Sequence, residues 1–177
     1  MITVIPHTDM MVTRAFAKAS SLGSLNDSIL DGGGNPAGYM GEEAIAAHLG
    51  AEIVSSNRGT CKFDYDLILP DGICAEVKTK RRTVAPRDFY AASVSLTSKH
   101  QQPDLYIFAS LQFNRSGRID GRLAYGGLEA VWLLGCKKPT DFFRESDTLL
   151  PGDIDTNNNF VTTAAMANLP IYRLEEV

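Results

Sequence analysis

The chain has 177 residues, 44% of them hydrophobic and 21% charged, with a formal net charge of −4. This composition describes one soluble globular domain long enough to bury a core, and no apolar run reaches the roughly 18–20 residues that span a bilayer. Three cysteines (Cys61, Cys74, Cys136) show no CxxC spacing and His7, His48 and His100 form no ligand pair, which argues against a disulfide framework, a zinc site or a histidine-built metal centre.

The opening MITVIPHTDMMVTR lacks the charged start and long apolar run of a secretory signal, so a reducing, cytoplasmic setting is expected. DMMVTRAFAKASSL (9–22) sets Val12, Ala15, Phe16 and Ala19 on one face and stops at Gly23, which predicts an amphipathic helix. The polar, glycine-rich SLNDSILDGGGNP lacks the GK[ST] of a phosphate loop and reads as a connector. Asn35 as N-cap, Pro36 at the first helical position and Gly50 past the end frame a second helix, AGYMGEEAIAAHL.

Short apolar runs follow: AEIVSS, KFDYDLIL and ICAEVK, the last two joined by a PDG turn and therefore expected to pair antiparallel. A basic loop then leads to FYAASVSLTSKHQQ, read as a strand passing into a short helical crossover, and to the buried strand DLYIFASLQF. GLEAVWLLG is another strand, PTDFFRES a short helix opened by Pro139 or Thr140, and LPIYRL a late strand. Tyr65, Tyr106 and Trp132 read as core aromatics. The order predicts an α/β domain with a mixed sheet, a single unit over 1–177 without internal repeat.

The stretch DYDLILPDGICAEVKTK (64–80) holds the chemistry. Side chains alternate along a strand, so Glu76 and Lys78 share a face, and the PDG hairpin brings Asp66 near Glu76 across the ladder. Two carboxylates that close repel, which raises one pKa unless a cation sits between them. A hard divalent ion suits oxygen donors of this kind, completed by water and phosphate. The same letters also serve an ordinary hairpin with a cross-strand Glu–Lys pair. Two neighbours tip the balance. Glu42 lies three, four and seven residues before Ile45, Ala46 and Leu49, on the stripe that should face the sheet. An inward carboxylate there is costly unless something positive meets it, although it also complements the helix N-terminal dipole. The basic residues Lys80, Arg81, Arg82 and Arg87 follow at once, whereas residues 141–177 hold seven acids against Arg144 and Arg173.

Helix GYMGEEAIAAHL, strand FDYDLIL, strand ICAEVKTK and strand PDLYIF together resemble the PD-(D/E)xK nuclease superfamily, especially its small resolvase-like and phage-type members. The resemblance covers about residues 36–113 and, more loosely, AVWLLGCKKPTDFF. It implies a restriction-endonuclease-like core in the order α-β-β-β-α-β, with the helix 9–22 before it and strand and helix additions over 120–177. Asp66 would be the metal-binding acid and Glu76 the second acid. Lys78 would orient the nucleophilic water and stabilise developing charge. Glu42, or Glu43 beside it, would contact a metal-bound water, and the main-chain carbonyl of Val77 would complete the shell. The letters before Asp66 are FDY, without the family's proline, which leaves Asp64 as the alternative acid.

The implied cofactor is Mg²⁺, with Mn²⁺ as a substitute, acting in phosphodiester hydrolysis of DNA. Lys80, Arg81, Arg82 and Arg87, joined by Arg58 and Lys62, would hold backbone phosphates without reading bases; Lys99, Gln101 and Gln102 fall where a crossover could approach the same phosphates. A homodimer would supply two sites for two strands. Two other readings stand beside this one: a protein that keeps the fold to bind nucleic acid or a partner without cutting, favoured by the acidic net charge, and a small viral accessory protein. RNA in place of DNA stays open.

Overall fold

A computed structural model describes residues 2–22, 35–54, 65–97, 103–119, 122–156 and 160–177. In chain order these form β1 (Thr3–Ile5), α1 (Asp9–Leu22), α2 (Asn35–Leu49), β2 (Glu52–Ile53), β3 (Leu67–Ile68), β4 (Cys74–Arg82), β5 (Ala91–Ser95), β6 (Leu105–Ile119), β7 (Arg122–Lys137), α3 (Pro139–Glu145), β8 (Asp147–Leu149), β9 (Ile154–Asp155), β10 (Phe160–Val161) and β11 (Met166–Pro170), closed by a 3-10 turn, Ile171–Arg173. The architecture is α/β. Its central sheet has the order β1-β7-β6-β4-β3-β2 and is mixed, because β4 and β6 run parallel while their neighbours are antiparallel. A second sheet, β5-β11-β8, packs on one side, and β9 and β10 pair separately. Among the described residues no helix is long and apolar enough to cross a membrane.

Burial on both faces explains why β6 and β7 read as near-continuous apolar runs. Ile107, Ala109, Leu111 and Phe113 face the helices, in one core with Ala75, Val77 and Ile45. Tyr106 and Phe108 face the other way, against Phe142 of α3 and Val94 and Leu169 of the second sheet. Phe108 pairs with Gly135 and Ala109 with Leu133, so Leu134 is an extra residue on β7. Gly135, at φ +130°, carries this bulge, and a Cβ there would meet the Glu175 carbonyl oxygen at 2.5 Å.

The structure redraws several expected elements. The run DYDLIL yields a strand of only two residues, whereas β4 continues through KTKRR to Arg82, where a loop was expected. The β4-to-β6 crossover opens as expected with a strand, β5, which pairs with β11 in the second sheet, and turns into a 3-10 helix at Leu96 and Thr97; residues 98–102, including Lys99, Gln101 and Gln102, lie outside the described residues. The late strand ends at Pro170, so Ile171, Tyr172 and Arg173 form the 3-10 turn. Helix α1 spans the expected residues but is rotated: Met11 and Ala15 are buried, and Phe16 is 53% exposed.

Helix α2 ends at Gly50, whose φ of +68° is the left-handed C-terminal stop that glycine favours. Its close packing on β4 depends on Gly41. A Cβ at this position would meet Thr79 Oγ1 at 2.1 Å and Thr79 Cβ and Cγ2 at 3.2 Å. Rotating Thr79 exchanges one clash for another, because both branches are near. Gly41→Ala gains about 1 kcal/mol in helix propensity, but overpacking costs about 1–3 kcal/mol. We therefore expect Gly41→Ala to lower the urea midpoint and Thr79→Ala to restore most of the loss in the double variant; additive effects would show that Gly41 and Thr79 are not in contact.

Candidate active site

Three elements bring the acids together. Turning α2's apolar stripe onto the sheet carries Glu42 inward, where it is 8% exposed. The described ladder between β3 and β4 pairs only Leu67 with Ala75 and Ile68 with Cys74. Next to it, the Asp66 N–H donates to the Ala75 carbonyl at 2.9 Å, and the Asp66 side chain extends the contact: its Oδ2 accepts a hydrogen bond from Val77 N–H at 2.8 Å. The N–H and C=O of one strand residue point to the same edge, so the Val77 carbonyl turns toward Asp66 as well. Alternation along β4 then sets Glu76, 7% exposed, and Lys78 on the face opposite Val77.

Two lysines meet these carboxylates. Lys78 Nζ donates to Glu76 Oε1 at 2.9 Å and lies 5.7 Å from the centre of the Tyr106 ring. Lys18, on α1, donates to Glu42 Oε2 at 3.1 Å and sits 4.1 Å over the Tyr39 ring. Glu43 is engaged elsewhere, with Arg14 at 2.7 Å.

The electrostatics tie the residues into one cluster. Burial, then the charges of Glu42 and Glu76, hold the Asp66 carboxyl well above the usual carboxylate range, against the pull of the Val77 N–H and Lys78. Burial also raises Glu42; Lys18 opposes this, while Glu76 and Glu43 add to it. Tyr39 is raised by burial and by the charges of Glu42 and Asp66. Tyr106, fully buried with no hydrogen-bond partner for its hydroxyl, is pushed up to about 12 by burial and Glu76. Asp66 thus stands between Glu42, on the helix side of β4, and Glu76 with Lys78 on the other face, and the charges of all three act on it.

Among the described residues, no group of three or more His, Cys, Asp or Glu side chains is arranged to hold a metal ion. A smaller donor set suits Mg²⁺, which keeps several waters and uses one or two protein carboxylates. Asp66, Glu76 and the Val77 carbonyl, all hard oxygens, would be that set.

The basic residues divide. Lys80 and Arg82 turn onto the Ala91 carbonyl oxygen, at 3.0 Å and 3.4 Å, instead of into solvent. Arg81 is partly buried on the other face of β4, and Arg87 is exposed in the loop after it. Arg58, Lys62 and the alternative acid Asp64 lie outside the described residues. A cleft of about 540 Å³ lined by Asp71, Ile73, Asp104 and Lys138, among others, lies near the PDG turn and includes none of the cluster. Sequence reasoning passed over Lys18 and Tyr39. The available signal was Arg14 and Lys18, one helical turn apart on α1, facing the adjacent acids Glu43 and Glu42. No protein-family model matches the chain, and no curated protein matches it.

Burial and the charge of Arg82 lower Lys80 to about 8, against the pull of Asp155. The unfolded chain keeps this proton to about pH 10.4, so between pH 8 and 10.4 the unfolded state binds more protons and stability rises with pH. Relative to Lys80→Met, the wild type should gain on the order of 2 kcal/mol across that window by urea unfolding. Parallel curves for the two proteins would contradict the assignment.

Proposed function

We propose that the protein is a Mg²⁺-dependent nuclease of restriction-endonuclease-like fold that hydrolyses phosphodiester bonds of DNA. The observation that carries this reading is the fixing of Asp66 on the Val77 N–H beside the ion pairs Lys78–Glu76 and Lys18–Glu42, with burial and then the charges of Glu42 and Glu76 holding the Asp66 carboxyl well above its ordinary range. Chemistry is the reading under which so costly a grouping of partly desolvated carboxylates makes sense. When bound, Mg²⁺ supplies the charge that acidifies a nearby water and neutralises the scissile phosphate.

The chain's own groups supply the rest. Asp66 is fixed by the Val77 N–H through Oδ2, which aims Oδ1 without a rotamer search. Lys78 holds its ammonium beside Glu76, from where its charge would stabilise the negative charge developing on a phosphate oxygen. Glu42 accepts a proton or orients water from the helix side, with Lys18 holding its carboxylate in place. Arg81 and Arg87 stand nearest to the role of phosphate contacts. The second reading, a protein that binds nucleic acid or a partner without cutting, draws on the two ion pairs, Lys18–Glu42 and Lys78–Glu76, which partly neutralise the cluster without any ion.

Supercoiled plasmid and branched DNA incubated with Mg²⁺ or Mn²⁺ test the proposal. Nicking that requires the metal and falls by about 10²- to 10³-fold in Lys78→Ala and Asp66→Ala is the expected result. Cleavage that persists undiminished in both variants removes the site from the reaction.

A further inference from the structure

Beyond the carboxylate cluster, the far end of β4 opens onto a surface of different chemistry. Phe89, in the loop after β4, is 45% exposed, and Tyr172, in the 3-10 turn near the C-terminus, is 61% exposed. Each ring has an arginine over it: Arg87 Cζ lies 5.8 Å from the Phe89 centroid and Arg173 Cζ 6.0 Å from that of Tyr172. The two segments are remote in sequence but clamped side by side. Ile171 N–H donates to the Tyr90 carbonyl at 2.9 Å, and Tyr172 N–H to the Asp88 carbonyl at 2.9 Å. Phe89 meets Tyr90 edge to face, with centroids 5.1 Å apart at 82°, and Arg82 Cζ lies 4.8 Å from the Tyr90 ring.

Exposed rings on a hydrogen-bonded backbone lose little freedom when something stacks on them. Arg87 and Arg173 stand beside the two rings, with Asp88 next to the first and Glu175 and Glu176 a few residues past the second. Aromatic faces beside guanidinium groups suit a polyanion whose units carry π-faces, which describes a nucleic-acid strand with its bases unpaired. A duplex keeps those faces stacked inside.

We propose that this paired aromatic–arginine surface stacks the bases of an unpaired strand, so that the substrate is single-stranded or carries a single-stranded arm. This rests on the nuclease reading above and names its substrate class.

The test is binding without catalysis, by fluorescence anisotropy in EDTA, of labelled oligo(dT) and of a duplex of equal length. The proteins are the full-length wild type, Phe89→Ala, Tyr172→Ala, the double alanine variant, and Phe89→Leu/Tyr172→Leu. Both rings are exposed, so these variants should keep the wild-type circular dichroism spectrum. The expected result is that each alanine weakens oligo(dT) binding about tenfold and the pair about a hundredfold, with duplex binding unchanged. The leucine pair, which keeps apolar area but no π-face, should bind as weakly as the alanine pair. Unchanged oligo(dT) affinity in the double variant, equal losses on duplex and single strand, or full binding by the leucine pair would each overturn the proposal. Metal-dependent nicking tests the other reading separately. Cleavage with ring-independent binding removes the surface alone, and ring-dependent binding without cleavage removes the nuclease alone.

Discussion

The hydrogen bond from Val77 N–H to Asp66 Oδ2, 2.8 Å long, is the contact on which the site depends. It lies beside the last β3–β4 pair, Leu67 with Ala75, where the Asp66 N–H still donates to the Ala75 carbonyl at 2.9 Å and the side chain goes on to the Val77 N–H. That bond fixes the carboxylate in a partly desolvated place, where the charges of Glu42, Glu76 and Lys78 act on it.

Much of this was legible in the sequence because the signals were local. Pro36 in the first turn and Gly50 past the end bound α2 through backbone rules, although the helix begins at Asn35 itself, and its apolar spacing already turned Glu42 inward. Alternation placed Glu76 with Lys78, and their 2.9 Å pair follows from it. The misreadings share a cause, which is long-range partnership. Lys80 and Arg82 look like loop letters, but the Ala91 carbonyl gives them a buried acceptor, so β4 runs on through them. The strand expected at β5 is present, but it belongs to a second sheet because β11 pairs with it from Ala91–Pro170 to Ser95–Met166, far apart in the chain. The rotation of α1, which exposes Phe16, goes with the pairing of Arg14 and Lys18 to Glu43 and Glu42, a constraint set by another helix.

The two faces of β4 divide the labour of the molecule. On the helix side, Ala75 and Val77 join the core beneath α2, and Thr79 receives the close approach of Gly41. On the other side, a row of charged residues passes from Glu76 beneath the second sheet to Arg82 and the loop of Phe89. The net charge of −4 is a sum, and five of the basic residues, Lys78, Lys80, Arg81, Arg82 and Arg87, fall on the second half of β4 and the loop after it. The acids of the C-terminal segment lie mostly elsewhere, several of them in local pairs such as Lys137–Glu175 at 2.9 Å and Arg144–Asp141 at 2.7 Å.

The central claim is that the negative charge left over at Asp66 and Glu76 is a divalent-cation site. Crystals soaked in Mn²⁺ and measured for anomalous scattering test it most directly. The account predicts one peak about 2.1 Å from a carboxylate oxygen of Asp66 and one of Glu76, with the Val77 carbonyl turned toward it. An absence of density there, with Lys18–Glu42 and Lys78–Glu76 intact at saturating Mn²⁺, would contradict it.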